Sequence, residues 1–512
     1  MNRTDFLSSF MPAETQQTDS LVPFDKKLTQ QQALHLLRRT TFSTNWQTVK
    51  QFTGKTANEA VELLLTNAVK NPKPFAPFWV DKTYKAWWKL PKADQQAATD
   101  VVYKDVYDLN YELKRWWIKE MTDDNVSIRE KMTLFWHGHF ATKFAIDQVM
   151  PAQLMYRQND LFRSLHQGNF RELLEKITVD GAMLIFLNGQ DSTKKSPNEN
   201  FSRELLELYS IGIGNYTEKD VQEGARVFTG WRTNIFSDEW TNFGTYKTFF
   251  LAYEHDTTSK NYLGSIIEST QSNSEEAVYK NETKGIIDII LKNRAEVLSM
   301  FICEKLYRYF VYSNPQKVNM DIVKEMAQTF RDSNFEIRPV LSKLFKSAFF
   351  FDEANIGVQL KTPAELVVGI TKHFDVKGDW KEWVMVTLGQ ELLNPPNVAG
   401  WVGHRKWSDT RTYPFAVQQI GGFVWNQKDE DIQSWIKQFD DYEDVRKLAL
   451  QMCTLFLVKP PTDAVLDKYV RNLLGGSPDY EWYNMVKIAG TVGGKVKYFL
   501  SQLIKSPDFH LS

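Results

Sequence analysis

The stretch ADQQAATDVVYKDVYDLNYELKRWWIKEM, residues 93–121, decides how the chain is read. Within it Val102, Tyr103, Val106, Leu109, Leu113, Trp116 and Trp117 recur at intervals of three and four. That is the period of a helix laying one apolar stripe on a core. Neither proline nor glycine interrupts the run, so the spacing predicts one long helix from about Ala93 to Met121.

Helix signals continue on both sides. Upstream, Pro72, Pro74 and Pro77 make a break, and Thr56 and Glu59 form a capping box before Ala60 and Val61. A short helix is expected around Gln31–Arg39, preceded by a polar, loose arm over residues 1–28. Downstream, Ser127 and Glu130 look like another capped start, and helical patterns recur near 152–166, 170–178, 199–210, 218–229, 281–292, 294–312, 319–332 and 337–348. Thr362-Pro363-Ala364-Glu365 combines a cap, a proline in the first turn and a carboxylate at the third position. The pattern lapses twice. Aromatic, β-prone Tyr246–Glu254 suggests a hairpin, and Pro395, Pro396, Gly400 and Gly403 mark a long ordered loop. The expected fold class is therefore mainly α. A main helical domain spans 29–350 with a small β-hairpin insertion near 231–264, and a C-terminal helical subdomain spans 351–512 with the Pro/Gly/Trp loop 393–414. Leu341–Phe350 and Leu500–Phe509 echo each other, each a helix end followed by a turn and an aromatic plug.

Composition narrows the function classes. Of 512 residues, 62 are Lys or Arg and 63 Asp or Glu, which gives a net charge of −1 and argues against a broad nucleic-acid or anionic-membrane face. No apolar run approaches the roughly 18 residues of a membrane span. The first twenty residues lack the apolar core of a signal peptide, so a cytoplasmic location is expected. Cys303 and Cys453 are too few for a disulfide framework or a multi-cysteine zinc site. There is no Gly-x-Ser-x-Gly elbow, Walker loop or His-Glu-x-x-His, and Gly212-Ile213-Gly214 follows a helix, where it reads as a cap. Nothing in the sequence sets the oligomeric state.

Four stretches carry candidate chemistry. His137 and His139 lie in Phe-Trp-His-Gly-His-Phe, residues 135–140. On a continuous helix they point about 160° apart. If Gly138 unwinds it, both imidazoles can meet one ion such as zinc, iron or manganese. Otherwise they are buried, hydrogen-bonded histidines. In the segment 198–209, Asn200, Glu204 and Glu207 share the flank of a stripe of Phe201, Leu205 and Leu208. A desolvated Glu204 is prepared to act as base or ligand, or else it joins an ion-pair network with its neighbours; Arg203 and Glu199 sit one turn apart. His255-Asp256, with Lys260 beyond, ends the expected strand, and Asp256 is placed to orient His255 only if the strand has already ended. In the loop 394–407, Asn397, Trp401 and Trp407 form either a lid or sugar-stacking platform, or wedges pinning the loop to the helices.

Together these stretches resemble a bacterial family catalogued as domain of unknown function 1800. The likeness rests on residues 135–140, on Pro197–Phe201 with Arg203-Glu204-Leu205, and on Tyr216-Thr217-Glu218 with Asp220-Val221. It continues through Thr229-Gly230-Trp231, His255-Asp256 with Lys260 and Leu263-Gly264, Pro395–Val398 with Gly400-Trp401, and Ser506–Phe509. The resemblance implies a sulfatase-like partner from the family's gene neighbourhood and no particular reaction; many members look exported. The resulting expectation is a metal-assisted hydrolase of a polymeric or anionic substrate. His137, His139 and His255 would hold a divalent metal ion, with Glu204, Arg203 and Asp256 catalytic. Asn198, Asn200, Lys260, Asn397, Trp401 and Trp407 would contact substrate. The alternative is a non-catalytic scaffold or glycan- or partner-binding protein in which the same polar residues are buried networks.

Overall fold

The stripe at 93–121 becomes a helix from Lys92 to Asp123 that buries Val102, Val106, Leu109, Leu113 and Trp117. The structure, a computed structural model, describes residues 19–42, 44–144, 150–236, 246–268, 274–376 and 378–512. Both capping boxes form: the amides of Glu59 and Glu365 donate to the hydroxyls of Thr56 and Thr362, whose own amides donate back to the carboxylates. The expected short helix runs Gln30–Thr40, capped by Thr29.

The start near Ser127 is built differently. The helix covers Arg129–His139 with no side-chain cap, and Ser127 instead bridges Asp124 and the Arg129 amide. Glu130 turns inward to Arg163 because a buried guanidinium needs a carboxylate more than a helix end needs a cap.

Two small antiparallel sheets interrupt the helices, where one hairpin was expected. Trp231–Thr233 pairs with Thr248–Phe250, and Lys260–Tyr262 pairs with Ser265–Ile267. The second is closed by Leu263 and Gly264, both at positive φ (49° and 85°), the backbone that a two-residue hairpin of right-handed twist requires.

One contiguous apolar core extends from Leu21 to Phe509, so the residues on both sides of position 350 share it. Of the expected N-terminal arm, residues 1–18 lie outside the described residues. Residues 19–28 do not dangle: Leu21 and Leu28 are buried and Pro23 bridges to Ser347. At the other end Leu360 bridges to Leu511. The sequence echo has a structural counterpart: helices Ile337–Phe345 and Gly493–Ile504 each run into a turn plugged by buried Phe350 or Phe509. No described helix is long and apolar enough to cross a membrane.

Candidate functional site

The helix bearing His137 and His139 does not unwind at Gly138; it continues to His139. The two imidazoles therefore stay on different faces and keep separate company. His139 is buried, with Nε2 3.1 Å from the Tyr209 carbonyl and Nδ1 3.0 Å from the Lys305 ammonium. Nδ1 accepts and Nε2–H donates, so both nitrogens are engaged. Burial, then the Lys305 charge, pushes its pKa well down. Lys305 in turn is drawn down to about 7 by burial. His137 is 1% exposed, and neither of its ring nitrogens has a hydrogen-bond partner among the described residues. Its ring sits among Trp117, Phe162 and Trp401, at centroid distances of 5.5, 6.4 and 5.6 Å. Burial alone pushes its pKa down to about 3, so it is neutral.

Trp401 reaches His137 because the proline-rich loop docks on the end of this helix. Gly400 sits at φ +79°, and a Cβ there would lie 2.2 Å from the Gly138 carbonyl oxygen. The approach is backbone to backbone, which is why residue 400 has no side chain. Asn397 is exposed and accepts from the Ala399 amide at 2.9 Å, bracing its own turn. Trp407 is half-buried beside Gly403. Trp401 is thus a wedge over His137.

The Asn198–Ser210 segment begins as expected and then changes period. Asn198 caps helix Glu199–Glu204 through the Asn200 amide, and its side-chain amide donates to the Asn188 carbonyl at 2.7 Å. The Asn200 side chain donates to the Leu187 carbonyl at 3.4 Å. From Leu205 to Ser210 the chain is a π-helix, an extra residue per turn that three-and-four spacing cannot reveal. Glu207 accepts from the Tyr216 hydroxyl at 2.7 Å. Arg203 pairs with Glu218 at 2.5 Å and with Glu199 at 3.3 Å on the surface. Glu204 is half-buried, its pKa raised by burial and by Glu207, against Arg203.

His255 and Asp256 diverge. His255 is buried, Nδ1 lying 2.9 Å from the Thr229 carbonyl and Nε2 3.2 Å from Glu282. Lys260, 1% exposed, ties to the same Glu282 carboxylate at 2.5 Å and to the Asp256 carbonyl. Asp256 points the other way: its carboxylate accepts from Arg226 Nε at 2.8 Å and from the Thr258 amide at 2.9 Å. Burial opposes ionisation, yet Arg226 and Thr258 hold it well below the usual carboxylate range. Asp256 does not orient His255.

Among the described residues, no three or more His, Cys, Asp or Glu side chains are placed to hold a metal ion. The expected ligand set does not fit a shared divalent ion: His139 spends both nitrogens on Tyr209 and Lys305, His137 is enclosed by aromatic rings, and His255 faces Glu282 and Thr229. Sequence reasoning read Glu130 only as a helix start and Trp117 only as core, and it passed over Arg163, Lys305 and Glu282. It also passed over Lys114, fully buried and 2.5 Å from Glu391. Only the rarity of unpaired charges on apolar faces pointed to them.

A different feature faces solvent. Helices Thr412–Trp425 and Gly493–Ile504 enclose an open groove of about 680 Å³ lined by Tyr413, Gln418, Trp425, Tyr498, Gln502 and Lys505. Trp425 and Tyr498 are 49% and 46% exposed, and nothing lies within 4 Å of a Cβ built on Gly421 or Gly422. Among the described residues, no Asp, Glu or His lines it. On the other side of helix Thr412–Trp425, Phe415, Trp383 and Trp380 continue an aromatic row at 5.3 and 5.6 Å.

No curated protein and no solved structure matches the chain. The family model described as "Protein of unknown function (DUF1800)" matches residues 35–511, nearly the whole length, and the chain belongs to that family.

Proposed function

We propose that the chain is a non-catalytic binding protein that holds a glycan segment in the groove between helices Thr412–Trp425 and Gly493–Ile504. The observation that carries this reading is the lining: exposed aromatic rings beside Gln418, Gln502 and Lys505, with no acidic residue or histidine among the described residues. Aromatic faces stack on the apolar faces of sugar rings, and side-chain amides match hydroxyls as both donors and acceptors. Glycoside cleavage generally needs a pair of carboxylates flanking the bond, and the described residues of this groove offer none. The polar residues of the family stretches support the same view: His139, His255 and Lys260 are buried on Tyr209, Thr229 and Glu282, and Asn198 and Asn200 donate to the backbone carbonyls of Asn188 and Leu187. A sulfatase-like partner would then act on the polymer that this chain holds.

Affinity electrophoresis through gels containing a neutral β-glucan, a sulfated galactan or a polyuronate tests the proposal. At least one should retard the protein. Trp425→Ala with Tyr498→Ala should weaken retention by about 5- to 30-fold, the loss of roughly 1–2 kcal/mol of stacking. Equal retention of the folded double variant, or no retention in any gel, refutes it.

A further inference from the structure

We propose that the interior cavity where helices Gln30–Thr40, Pro363–Thr371 and Val445–Phe456 meet the final turn Pro507–His510 binds a small tetrahedral oxyanion, sulfate or phosphate, between Arg38 and Lys361. The cavity measures about 50 Å³ and is lined by Arg38, Thr44, Lys361, Glu365, Phe456 and Phe509 among others. At about 10–15 Å³ per water, it has room for roughly three to five waters, the scale of a free oxyanion and not of an ester carrying a sugar.

Charge decides the sign of the ligand. Arg38, Arg39, Lys131 and Lys361 converge on this region, with Glu365 as the one carboxylate side chain there among the described residues. Glu365 is already spent on Lys131 and on the Thr362 amide at 2.6 Å. Among the described residues, Arg38 and Lys361 form no ion pair with a carboxylate and are held by carbonyls instead. Arg38 Nη2 donates to Thr454, Leu455 and Leu457 at 2.9, 3.0 and 2.7 Å, and Lys361 Nζ to Phe509 at 2.6 Å. Arg39 is 3% exposed and keeps Nε and Nη1 without a partner among the described residues. Arg38 and Lys361 are each partly buried, and a cation drawn partly out of water favours an opposite charge beside it. A dianion in the cavity supplies it, accepting from a guanidinium edge and an ammonium at once, as oxyanion sites do. Burial, then repulsion from Arg38, draws the Lys361 ammonium down to about 7, although Glu365 pulls the other way. Because Arg38, Lys361, Leu455 and Phe509 are far apart in sequence, the ion would clasp the beginning and end of the fold together.

Equilibrium dialysis of the full-length protein against radiolabelled inorganic sulfate, and separately inorganic phosphate, tests this at ionic strength held constant with chloride. Saturable uptake of one ion per chain is expected, with about tenfold weaker binding in Lys361→Met and binding retained in Lys361→Arg. A stronger response to either ion supports the site and identifies its occupant. If Lys361→Met does not fold, the wild-type and Lys361→Arg proteins decide alone. No saturable uptake by wild type overturns the proposal. Equal uptake by folded Lys361→Met overturns it too, by placing the ion elsewhere.

Discussion

Replacing His137 by Phe isolates the state of the central motif histidine. The ring lies among Trp117, Phe162 and Trp401, so a phenyl ring matches its surroundings. At pH 8 two effects oppose each other: the larger ring costs about 1–3 kcal/mol of overpacking, and removing two buried unpartnered nitrogens recovers about 1–3 kcal/mol. The variant should therefore be close to wild type. Acid separates them. The folded pKa of His137 is about 3, below the unfolded value of about 6.5, so below pH 6.5 the unfolded chain takes up a proton that the folded chain refuses. The native protein loses stability as the pH falls through that window. At pH 5 the loss from this one residue is about 2 kcal/mol, from RT ln of the ratio of the two binding polynomials. His166 and His510, both pushed down to about 4 by burial, act with the same sign and cancel when wild type and variant are compared. Urea unfolding followed by tryptophan fluorescence at pH 8 and pH 5, with chelator present, measures the difference. His137→Phe should gain about 2 kcal/mol on wild type between the two pH values. An unchanged difference would mean that His137 protonates as freely in the folded chain as in the unfolded one, and the sealed-histidine argument would fail.

Two further substitutions test how the site is built. Gly400→Ala forces a Cβ to 2.2 Å from the Gly138 oxygen at φ +79°, whereas Gly403→Ala, at φ +68°, meets nothing closer than Trp407 Nε1 at 3.6 Å. The second should cost about 1–2 kcal/mol for backbone conformation alone, and the first about 1–3 kcal/mol more for overpacking, so similar urea midpoints would contradict the docked loop. Lys260→Met leaves the buried Glu282 carboxylate without its ammonium and should cost about 3–5 kcal/mol in the same assay, while a loss under 1 kcal/mol would show that the pair is solvated.

What the sequence made legible is what local chemistry writes. The Lys92–Asp123 helix, the boxes at Thr56 and Thr362 and the turn at Leu263-Gly264 all follow from residues within a few positions of each other. The docked Trp401 was one of two readings left open, and packing against Gly138 decides between them. Gly138 kept the unwound reading open, but a glycine inside a helix stays helical when its neighbours pack, and here a Cβ at Gly138 would lie 3.7 Å from Trp401. The π-turn at Leu205–Ser210 was invisible to a count based on 3.6 residues. Least legible were the partners of the polar groups. Lys305 is 166 positions from His139, and Tyr498 is on a different helix from Trp425, so no periodicity links them. The candidate residues were identifiable; their internal use was not.

If the aromatic groove holds a glycan and the motif residues hold the fold, incubating the protein with whichever polysaccharide retards it, while measuring bound polymer and new reducing ends together, separates binding from cleavage. Saturable binding that Trp425→Ala weakens is expected, with no new reducing ends in wild type. New reducing ends that disappear in folded Glu204→Gln or His255→Gln would contradict it and return those residues to catalysis.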